Sequence, residues 1–215
     1  MFDVGRSAFY YGIDMIILDS VTKKFGAFAA VDNVSYSIQK GETFALLGPN
    51  GAGKTTIVRM LLNFTTPSSG SVTINGRSVS DPESRRHIGY IAEQHMIPPY
   101  LSGFKYLSRH AALLGLSGKA AEKEVDRVLE MVSMKGPERK KVASYSKGMK
   151  QRMGIGAALL GAPTMLILDE PVTGLDPMGT RDIRKILVKD TINAIVKDHE
   201  TLEDVFVRYI EHENG

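Results

Sequence analysis

The sequence predicts an α/β fold with a parallel sheet, and three observations lead to this prediction. Residues 48–56, "GPNGAGKTT", lie between the strand-like "TFALL" and the helical "TIVRMLLNF". Residues 164–171, "TMLILDEP", contain a continuous apolar run, which is typical of a parallel strand buried on both faces. Residues 94–154, between these two segments, have helical periodicity instead. A strand, a tight turn, a helix and a later buried strand indicate alternating α/β architecture.

The N-terminal part of the chain is rich in strand candidates. They are residues 15–21, 31–38, 43–48, 71–76 and 87–93, and the fourth ends in an Asn-Gly turn. We therefore expect an antiparallel β-element before and beside the parallel sheet. Residues 1–14 lack the basic start and apolar core of a signal peptide, and we interpret them as an N-terminal extension.

The middle of the chain predicts a helical subdomain at residues 94–154. Val125, Val128, Leu129 and Val132 recur at helical spacing on an otherwise charged segment, and residues 103–116 also favour helix. The nucleotide-binding core would then comprise residues 15–93 and 155–198, with a C-terminal helix at residues 199–215. This division treats residues 15–215 as one domain with a helical insertion.

Composition limits the function classes. The 215 residues are 43% hydrophobic and 24% charged, as in an ordinary globular domain, and contain no cysteine, which excludes disulfides and cysteine zinc sites. The net charge of +3 is too small to imply a nucleic-acid partner. The basic residues 137–152 are interpreted as a solvated helical face, so we expect no nucleic acid to bind. No apolar run approaches the roughly 20 residues that span a bilayer.

Residues 48–56 carry the strongest motif, because they fit G-x-x-x-x-G-K-[ST] between a strand and a helix. Its glycines let the backbone turn N–H groups onto phosphate oxygens, and the helix N terminus favours an anion. Lys54 would reach the β- and γ-phosphates of a nucleotide, and the Thr55 hydroxyl would bind Mg²⁺. The predicted phosphate-binding residues are Gly48, Pro49, Asn50, Gly51, Ala52, Gly53, Lys54, Thr55 and Thr56.

Two carboxylates end the later apolar strand. Asp169 is predicted to hold Mg²⁺, directly or through water, and Glu170 to orient or deprotonate an attacking water. An Asp-Glu pair alone is more often a solvated strand end. After an apolar run, and in a chain with a phosphate loop, the pair predicts a nucleotide-hydrolysing site.

Residues 145–149 narrow the class of nucleotide-binding protein. They read Tyr145-Ser146-Lys147-Gly148-Met149 and resemble the Leu-Ser-Gly-Gly-Gln/Met signature of the ATP-binding-cassette (ABC) ATPases. Ser146 and Gly148 match this pattern, whereas Tyr145 and Lys147 depart from it. The resemblance implies a P-loop NTPase core that binds ATP and Mg²⁺ and a signature loop that closes over the γ-phosphate held by a second subunit. Lys147 would crowd that loop if the position needed a positive φ.

The resemblance extends from Met15 to about Lys189 and implies further site residues. Phe25 matches the aromatic that stacks on adenine, and Asp176 in "GLDP" matches a residue at the interface between two nucleotide-binding subunits. The glutamine that senses phosphate in the family corresponds to Glu93 or to Gln94, and either one is a candidate Mg²⁺ contact.

The segment after Asp176 leaves two alternatives open. In the family a further parallel strand ends at a histidine that contacts the γ-phosphate. Either residues 192–196, "INAIV", form an abbreviated strand and His199 is that histidine, or the segment with this strand, the histidine and the final strands is missing. The second alternative is favoured, because residues 201–213 resemble the terminal helix of exporter-type cassettes. It makes His199 a bystander and hydrolysis slow.

The resemblance implies an ATPase subunit. It is strongest to exporter-type cassettes for drugs, lipids or ions. ATP would be bound and hydrolysed in a head-to-tail homodimer to drive a separate integral membrane permease, from a cytoplasmic position at the inner face of the membrane. Two alternatives are a shortened cassette that binds ATP but hydrolyses it poorly, and a soluble ABC ATPase of translation or DNA repair. The second usually needs two cassettes or a long coiled-coil insertion, and this chain has neither.

Overall fold

The fold is described from a computed structural model. It describes residues 14–93, 95–169, 171, 175, 177–178 and 180–181, together with the backbone of residues 193–197. Within these residues no helix combines the length and the apolar character that crossing a membrane requires.

Among the described residues, eight strands form two sheets. In chain order they are β1 Asp14–Phe25, β2 Phe28–Gln39, β3 Thr43–Leu46, β4 Ser69–Ile74, β5 Arg77–Ser78, β6 Ile88–Ile91, β7 Met165–Asp169 and β8 Asn193–Lys197. The first sheet is antiparallel in the order β2-β1-β4-β5, which confirms the predicted antiparallel element. Its β4–β5 turn is the predicted Asn-Gly turn, with Asn75 and Gly76 at φ of 52° and 73°.

The second sheet is parallel in the order β3-β8-β7-β6. Its register fixes the geometry of the site. Leu46 at the end of β3 and Asp169 at the end of β7 both pair with Lys197, the last residue of β8. Since adjacent strands lie about 4.8 Å apart, Leu46 and Asp169 are level with one another and separated by roughly 10 Å. The phosphate loop and Asp169 therefore share one edge of the sheet.

The presence of β8 corrects one prediction. The favoured alternative held that the strand before the histidine is missing, and this is wrong, because Asn193–Lys197 forms a parallel strand between β3 and β7. The "INAIV" segment is thus the abbreviated strand of the other alternative, shifted by one residue. His199 and the helix predicted for residues 199–215 lie outside the described residues.

The fully described part of the chain contains four α-helices: α1 Lys54–Leu61, α2 Gly103–Leu113, α3 Gly118–Met131 and α4 Lys147–Leu159. Short 3₁₀ turns occur at Pro82–Arg85, Pro137–Arg139 and Val142–Ser144. The predicted stripe on α3 and its C-cap is confirmed, since Val125, Val128, Leu129 and Val132 are fully buried. The helix α4 continues to Leu159, five residues past the boundary expected for the helical subdomain.

Two hydrophobic clusters meet at β7. Met165 and Ile167 pack into the cluster formed by the sheets and α1, whereas Leu166 and Leu168 pack into the cluster formed with α2, α3 and α4. Successive side chains of a strand point to opposite faces, so a strand buried on both faces must be apolar throughout. This is why "MLIL" could be recognised as a buried strand from its sequence, and it anchors Asp169 between both halves of the molecule.

Candidate functional site

The phosphate loop connects β3 to α1. Gly48, Gly51 and Gly53 have φ of 148°, 83° and 89°, in the region that residues with a Cβ rarely adopt. The amide of Ala52 donates to the carbonyl of Pro49 at 3.1 Å, which folds the loop into a turn. Gly53 is the N-cap of α1, and its carbonyl accepts the first helical bond from Ile57 at 2.9 Å. The loop thus leads directly into a helix N terminus that is suited to an anion.

Gly53 is also required by packing against the antiparallel sheet. A Cβ on Gly53 would lie 2.3 Å from the carbonyl oxygen of Ala30 and 3.1 Å from Cγ2 of Val31, both on β2. Real side chains do not approach a backbone oxygen so closely. The end of the phosphate loop is therefore held against β2, near the turn that carries Phe25 and Phe28.

Lys54 is buried in the loop with only 4% of its surface exposed. Its ammonium donates to the carbonyl oxygens of Gly48 and, at 3.0 Å, of Pro49. A buried ammonium has to be hydrogen-bonded, because an unpaired buried charge is very costly. These bonds hold the cation inside the concave side of the loop, where the phosphates of a nucleotide are expected.

Asp169 and Thr55 are two of the described candidates for Mg²⁺, besides Glu93. Asp169 ends β7 with 5% of its surface exposed. Thr55 lies in the first turn of α1, which follows β3 and the phosphate loop. Both supply oxygen donors, which fit a hard cation. No group of three or more His, Asp or Glu residues lies together in the described part of the chain. Mg²⁺ typically uses one or two protein oxygens plus phosphates, so this donor set fits it.

Phe25 ends β1 and is paired with Phe28 across the β1–β2 turn. Both rings are largely exposed, at 52% and 63%. The Lys23 ammonium lies 5.0 Å from the centre of the Phe25 ring and donates to the carbonyl of Thr66 at 2.8 Å. A cation over one face of an aromatic ring is attracted to it, and here the Lys23 ammonium lies over one face of Phe25.

The signature loop begins α4. The Ser146 hydroxyl accepts a hydrogen bond from the Met149 amide at 3.2 Å and caps the helix. Lys147 is the first helical residue, and its φ is not positive. The condition under which Lys147 would crowd the loop is therefore not met. A Cβ on Gly148 would meet only the Leu175 and Ser146 side chains, at 4.0 Å. Leu175, which belongs to the "GLDP" segment of the sequence, therefore lies beside the signature loop.

Tyr145, which departs from the family signature, has a structural role. Its hydroxyl donates to the carbonyl of Pro137 at 2.8 Å and accepts from the amide of Gly103. Burial raises the pKa of Tyr145, and the hydrogen bond from Gly103 acts in the opposite direction. The neutral phenol joins the start of α2 to the 3₁₀ turn Pro137–Arg139 and fixes the residue before Ser146.

Two contacts of α4 were not predicted from the sequence. Nε2 of His95, in the segment after β6, lies 3.1 Å from the carbonyl of Lys150, and the ring packs over Gly154, where a Cβ would lie 2.5 Å away. Nε2 of Gln151 donates to the carbonyl of Pro171 at 2.6 Å. The only sign of these contacts in the sequence was the polar residue Gln151, at a helical position that is buried in the fold.

Of the remaining predicted site residues, only Glu93 lies in the described part of the chain. Glu93 is exposed and follows β6 by two residues at the same sheet edge. Glu170, Gln94, Asp176 and His199 lie outside the described residues. The structure therefore brings the phosphate loop, Thr55 and Asp169 to one edge and places Ser146 and Gly148 on the helical part.

The sequence profile of the ABC transporter family matches residues 31–173. These residues include the phosphate loop, the signature loop and the strand β7. The chain belongs to the ABC transporter family.

Several similar proteins are named as ATP-binding proteins of transporters. The uncharacterized ABC transporter ATP-binding protein YhcH of Bacillus subtilis is 43% identical over 188 residues, which cover 85% of this chain and 61% of YhcH. The bacitracin transport ATP-binding protein BcrA of Bacillus licheniformis is 40% identical over 169 residues, covering 78% of this chain and 54% of BcrA. The chain thus spans little more than half the length of these two relatives.

Solved ABC cassettes share the fold. The protein cbiO1 of Clostridium perfringens, part of the cbiONQ transporter complex, is 27% identical with a TM-score of 0.77, covering 87% of this chain and 79% of cbiO1. The ABC cassette MJ0796, a post-hydrolysis dimer bound to ADP and Pi, is 26% identical with a TM-score of 0.75, covering 86% and 88%.

Proposed function

We propose that this chain binds ATP, hydrolyses it, and uses the energy to drive a separate membrane permease. The observation that carries the proposal is the sheet register, which places the phosphate loop and Asp169 level at one edge with a single strand between them. Membership of the ABC family and the names of the relatives support an ATP-binding subunit of a transporter.

In this proposal the loop amides of residues 48–53 and the N terminus of α1 bind the β- and γ-phosphates. Lys54 exchanges its bonds to the loop carbonyls for bonds to phosphate oxygens, which keeps its charge paired. Thr55 and Asp169 hold Mg²⁺, which when bound neutralises charge on the phosphates. Glu170 accepts a proton from the attacking water, because it directly follows Asp169 in the sequence.

A second subunit completes the site. Ser146 and the amides of the first turn of α4 point out of an exposed helix N terminus, where they can bind a γ-phosphate held by another copy. The dimeric state of the MJ0796 cassette supports this arrangement, and we propose a homodimer. Asp176 would lie at its interface, since Leu175 is beside Gly148.

A membrane permease is the proposed partner, and the chain would act at the inner face of the membrane. The relative BcrA is a bacitracin transport protein, and cbiO1 is part of a transporter complex. The proposal is tested by co-expressing the chain with a multispan protein encoded beside its gene. We expect the two to purify together and the permease to change the ATP turnover. If the chain purified without the permease and hydrolysed ATP at the same rate with and without it, a soluble ABC ATPase would be favoured.

His199 is proposed to contact the γ-phosphate, because β8 is present and ends two residues before it. Removing one well-placed donor typically slows an enzyme about 10²–10³-fold. We expect His199→Ala to reduce ATP turnover by about this factor and to leave ATP affinity largely unchanged, as measured by phosphate release and equilibrium binding. The neighbouring Glu200→Ala is the control. Turnover of the histidine variant within twofold of wild type would restore the bystander interpretation.

Phe25 is proposed to stack on adenine. Aromatic stacking contributes about 0.5–1.5 kcal/mol beyond burial, so Phe25→Ala should weaken ATP binding about two- to tenfold. Phe28→Ala is a matched control, since Phe28 is the paired aromatic of the same turn and is also largely exposed. Fluorescence titration with ATP measures both. Equal losses in the two variants would contradict a specific stacking role for Phe25.

A further inference from the structure

The helical part of the chain presents one strongly basic surface. This basic surface consists of five exposed side chains: Lys105, Arg109, Arg139, Lys140 and Lys141. Lys105 and Arg109 lie one turn apart on α2, which contains no acidic residue. Side chains at this spacing share one face of a helix, so two like charges stand side by side there.

Contacts between two separate segments form this surface. The helix α2 packs against the 3₁₀ turn that ends in Arg139, and the Arg139 guanidinium lies 5.6 Å from the centre of the Phe104 ring in the first turn of α2. Lys141 pairs with Ser102, the N-cap of α2, in an antiparallel β-bridge. Three of the five cations therefore lie beside the N-terminal end of α2.

Few carboxylates neutralise the basic surface. In the described part of the chain Arg139 lies 4.0 Å from Glu138, and the other four cations form no ion pair. Like charges that gather in this way repel one another. An anionic partner would relieve this repulsion, so the charge of the surface favours such a partner.

Exposed apolar side chains border the basic surface at both ends of α2. Leu113 is 83% exposed and follows Lys105 and Arg109 at successive four-residue steps, so it lies on the same side of the helix. Tyr100, just before α2, is 68% exposed. Cations interspersed with leucine and an aromatic residue are typical of helices that lie on a membrane surface. The phosphate backbone of a nucleic acid would use the cations only.

We infer that the basic surface binds the anionic headgroups of membrane lipids, with Leu113 and Tyr100 at the level of the headgroups. The inference rests on the proposed position at the inner face of the membrane, and adds a direct contact with lipid to the contact with a permease. Each basic residue near an anionic membrane surface strengthens binding about fivefold. Because these cations are exposed, salt should weaken the binding.

The test measures sedimentation of the full chain, without nucleotide, with phosphatidylcholine vesicles that contain about 30% phosphatidylglycerol. We expect binding that falls as salt is added and that is absent with phosphatidylcholine alone. The double variants Lys105→Gln/Arg109→Gln and Lys140→Gln/Lys141→Gln should each bind about 10- to 30-fold more weakly.

The matched control is Lys119→Gln/Lys123→Gln. It also removes two exposed cations one turn apart, but from α3, where acidic residues are interspersed with them. Its vesicle binding should stay within about twofold of wild type. Circular dichroism checks that all three double variants remain folded.

Leu113→Gln separates a lipid surface from other anions. Replacing an apolar side chain that enters the headgroup region should weaken vesicle binding about three- to tenfold. A nucleic acid should bind this variant as tightly as wild type. The control is Met178→Gln, which changes an apolar side chain that is 75% exposed elsewhere in the chain and should leave vesicle binding unchanged.

Three outcomes would overturn the inference. The first is a wild-type chain that does not bind anionic vesicles, or binds neutral ones equally well. The second is tighter binding to a DNA or RNA duplex that Leu113→Gln leaves unchanged, which would assign the surface to nucleic acid. The third is wild-type vesicle binding by both basic double variants together with loss of their copurification with the permease, which would assign the surface to that protein.

The vesicle measurement is independent of the ATPase measurement. A chain that hydrolyses Mg-ATP and purifies with the permease but does not bind anionic vesicles would overturn this inference alone. A chain that binds the vesicles through the basic surface but never hydrolyses Mg-ATP would overturn the proposed ATPase function alone.

Discussion

Lys54→Ala is expected to weaken ATP binding by at least about 100-fold, which corresponds to roughly 2.8 kcal/mol. Lys54 is the cation that the loop holds on its concave side, bonded to the carbonyls of Gly48 and Pro49. Without it the phosphates lose a charge-assisted contact in a largely buried site, and such contacts are stronger than neutral ones. Isothermal titration with Mg-ATP measures the loss directly.

The control for this prediction is Lys119→Ala, which removes an exposed lysine at the start of α3. Its ATP affinity should equal that of wild type. Circular dichroism tests whether Lys54→Ala remains folded, and Lys54→Met, which preserves the aliphatic part of the buried side chain, separates loss of charge from loss of packing. If folded Lys54→Ala and Lys54→Met both bind Mg-ATP as tightly as wild type, residues 48–56 are not the phosphate site.

Glu170→Gln is expected to stop turnover while ATP remains bound. An amide has nearly the same shape as a carboxylate but cannot accept the proton of the attacking water. Loss of general-base catalysis typically costs about 10²–10⁴ in rate. We expect phosphate release to fall by that factor, ATP affinity to change less than threefold, and the variant to accumulate as an ATP-bound dimer in gel filtration.

Glu122→Gln, an exposed substitution on α3, is the matched control and should hydrolyse ATP at the wild-type rate. Undiminished phosphate release by Glu170→Gln would show that another group activates the water. Loss of ATP binding in the same variant would instead place Glu170 among the groups that hold Mg²⁺.

The parts of the fold with local signals were predicted correctly from the sequence. The strand β7 was recognised because both of its faces are buried, so four apolar residues precede Asp169. The phosphate loop was recognised because its glycines and Lys54 follow from the backbone geometry that a phosphate requires. The buried stripe on α3 follows from helical periodicity, and Val125, Val128 and Leu129 confirm it.

The strand β8 has a weaker local signal in the sequence than β7. It is five residues long, begins with Asn193 and ends with Lys197, and its residues do not form a continuous apolar run. Its pairing with β3 and β7 depends on neighbours that are distant in sequence, and strand preference is decided by such tertiary context. The favoured prediction was wrong because it rested on the resemblance of residues 201–213 to a terminal helix, which does not determine how residues 193–197 pair.

The long-range side-chain contacts of α4 also lack a local pattern. Gln151 and Pro171 are twenty residues apart, and His95 and Lys150 are fifty-five apart. Each bond requires the helical part and the sheet edge to be in their final places. Such contacts are therefore recognised only once the fold is known.

Phosphate release from Mg-ATP by the purified chain, measured over a range of protein concentrations, tests the central claim most directly. We expect turnover that requires Mg²⁺ and whose rate per chain rises with protein concentration, because each nucleotide needs the signature loop of a second copy. The same measurement on Lys54→Ala should give no release. Absence of Mg-ATP-dependent release at every concentration, from a folded wild-type chain, would contradict the account.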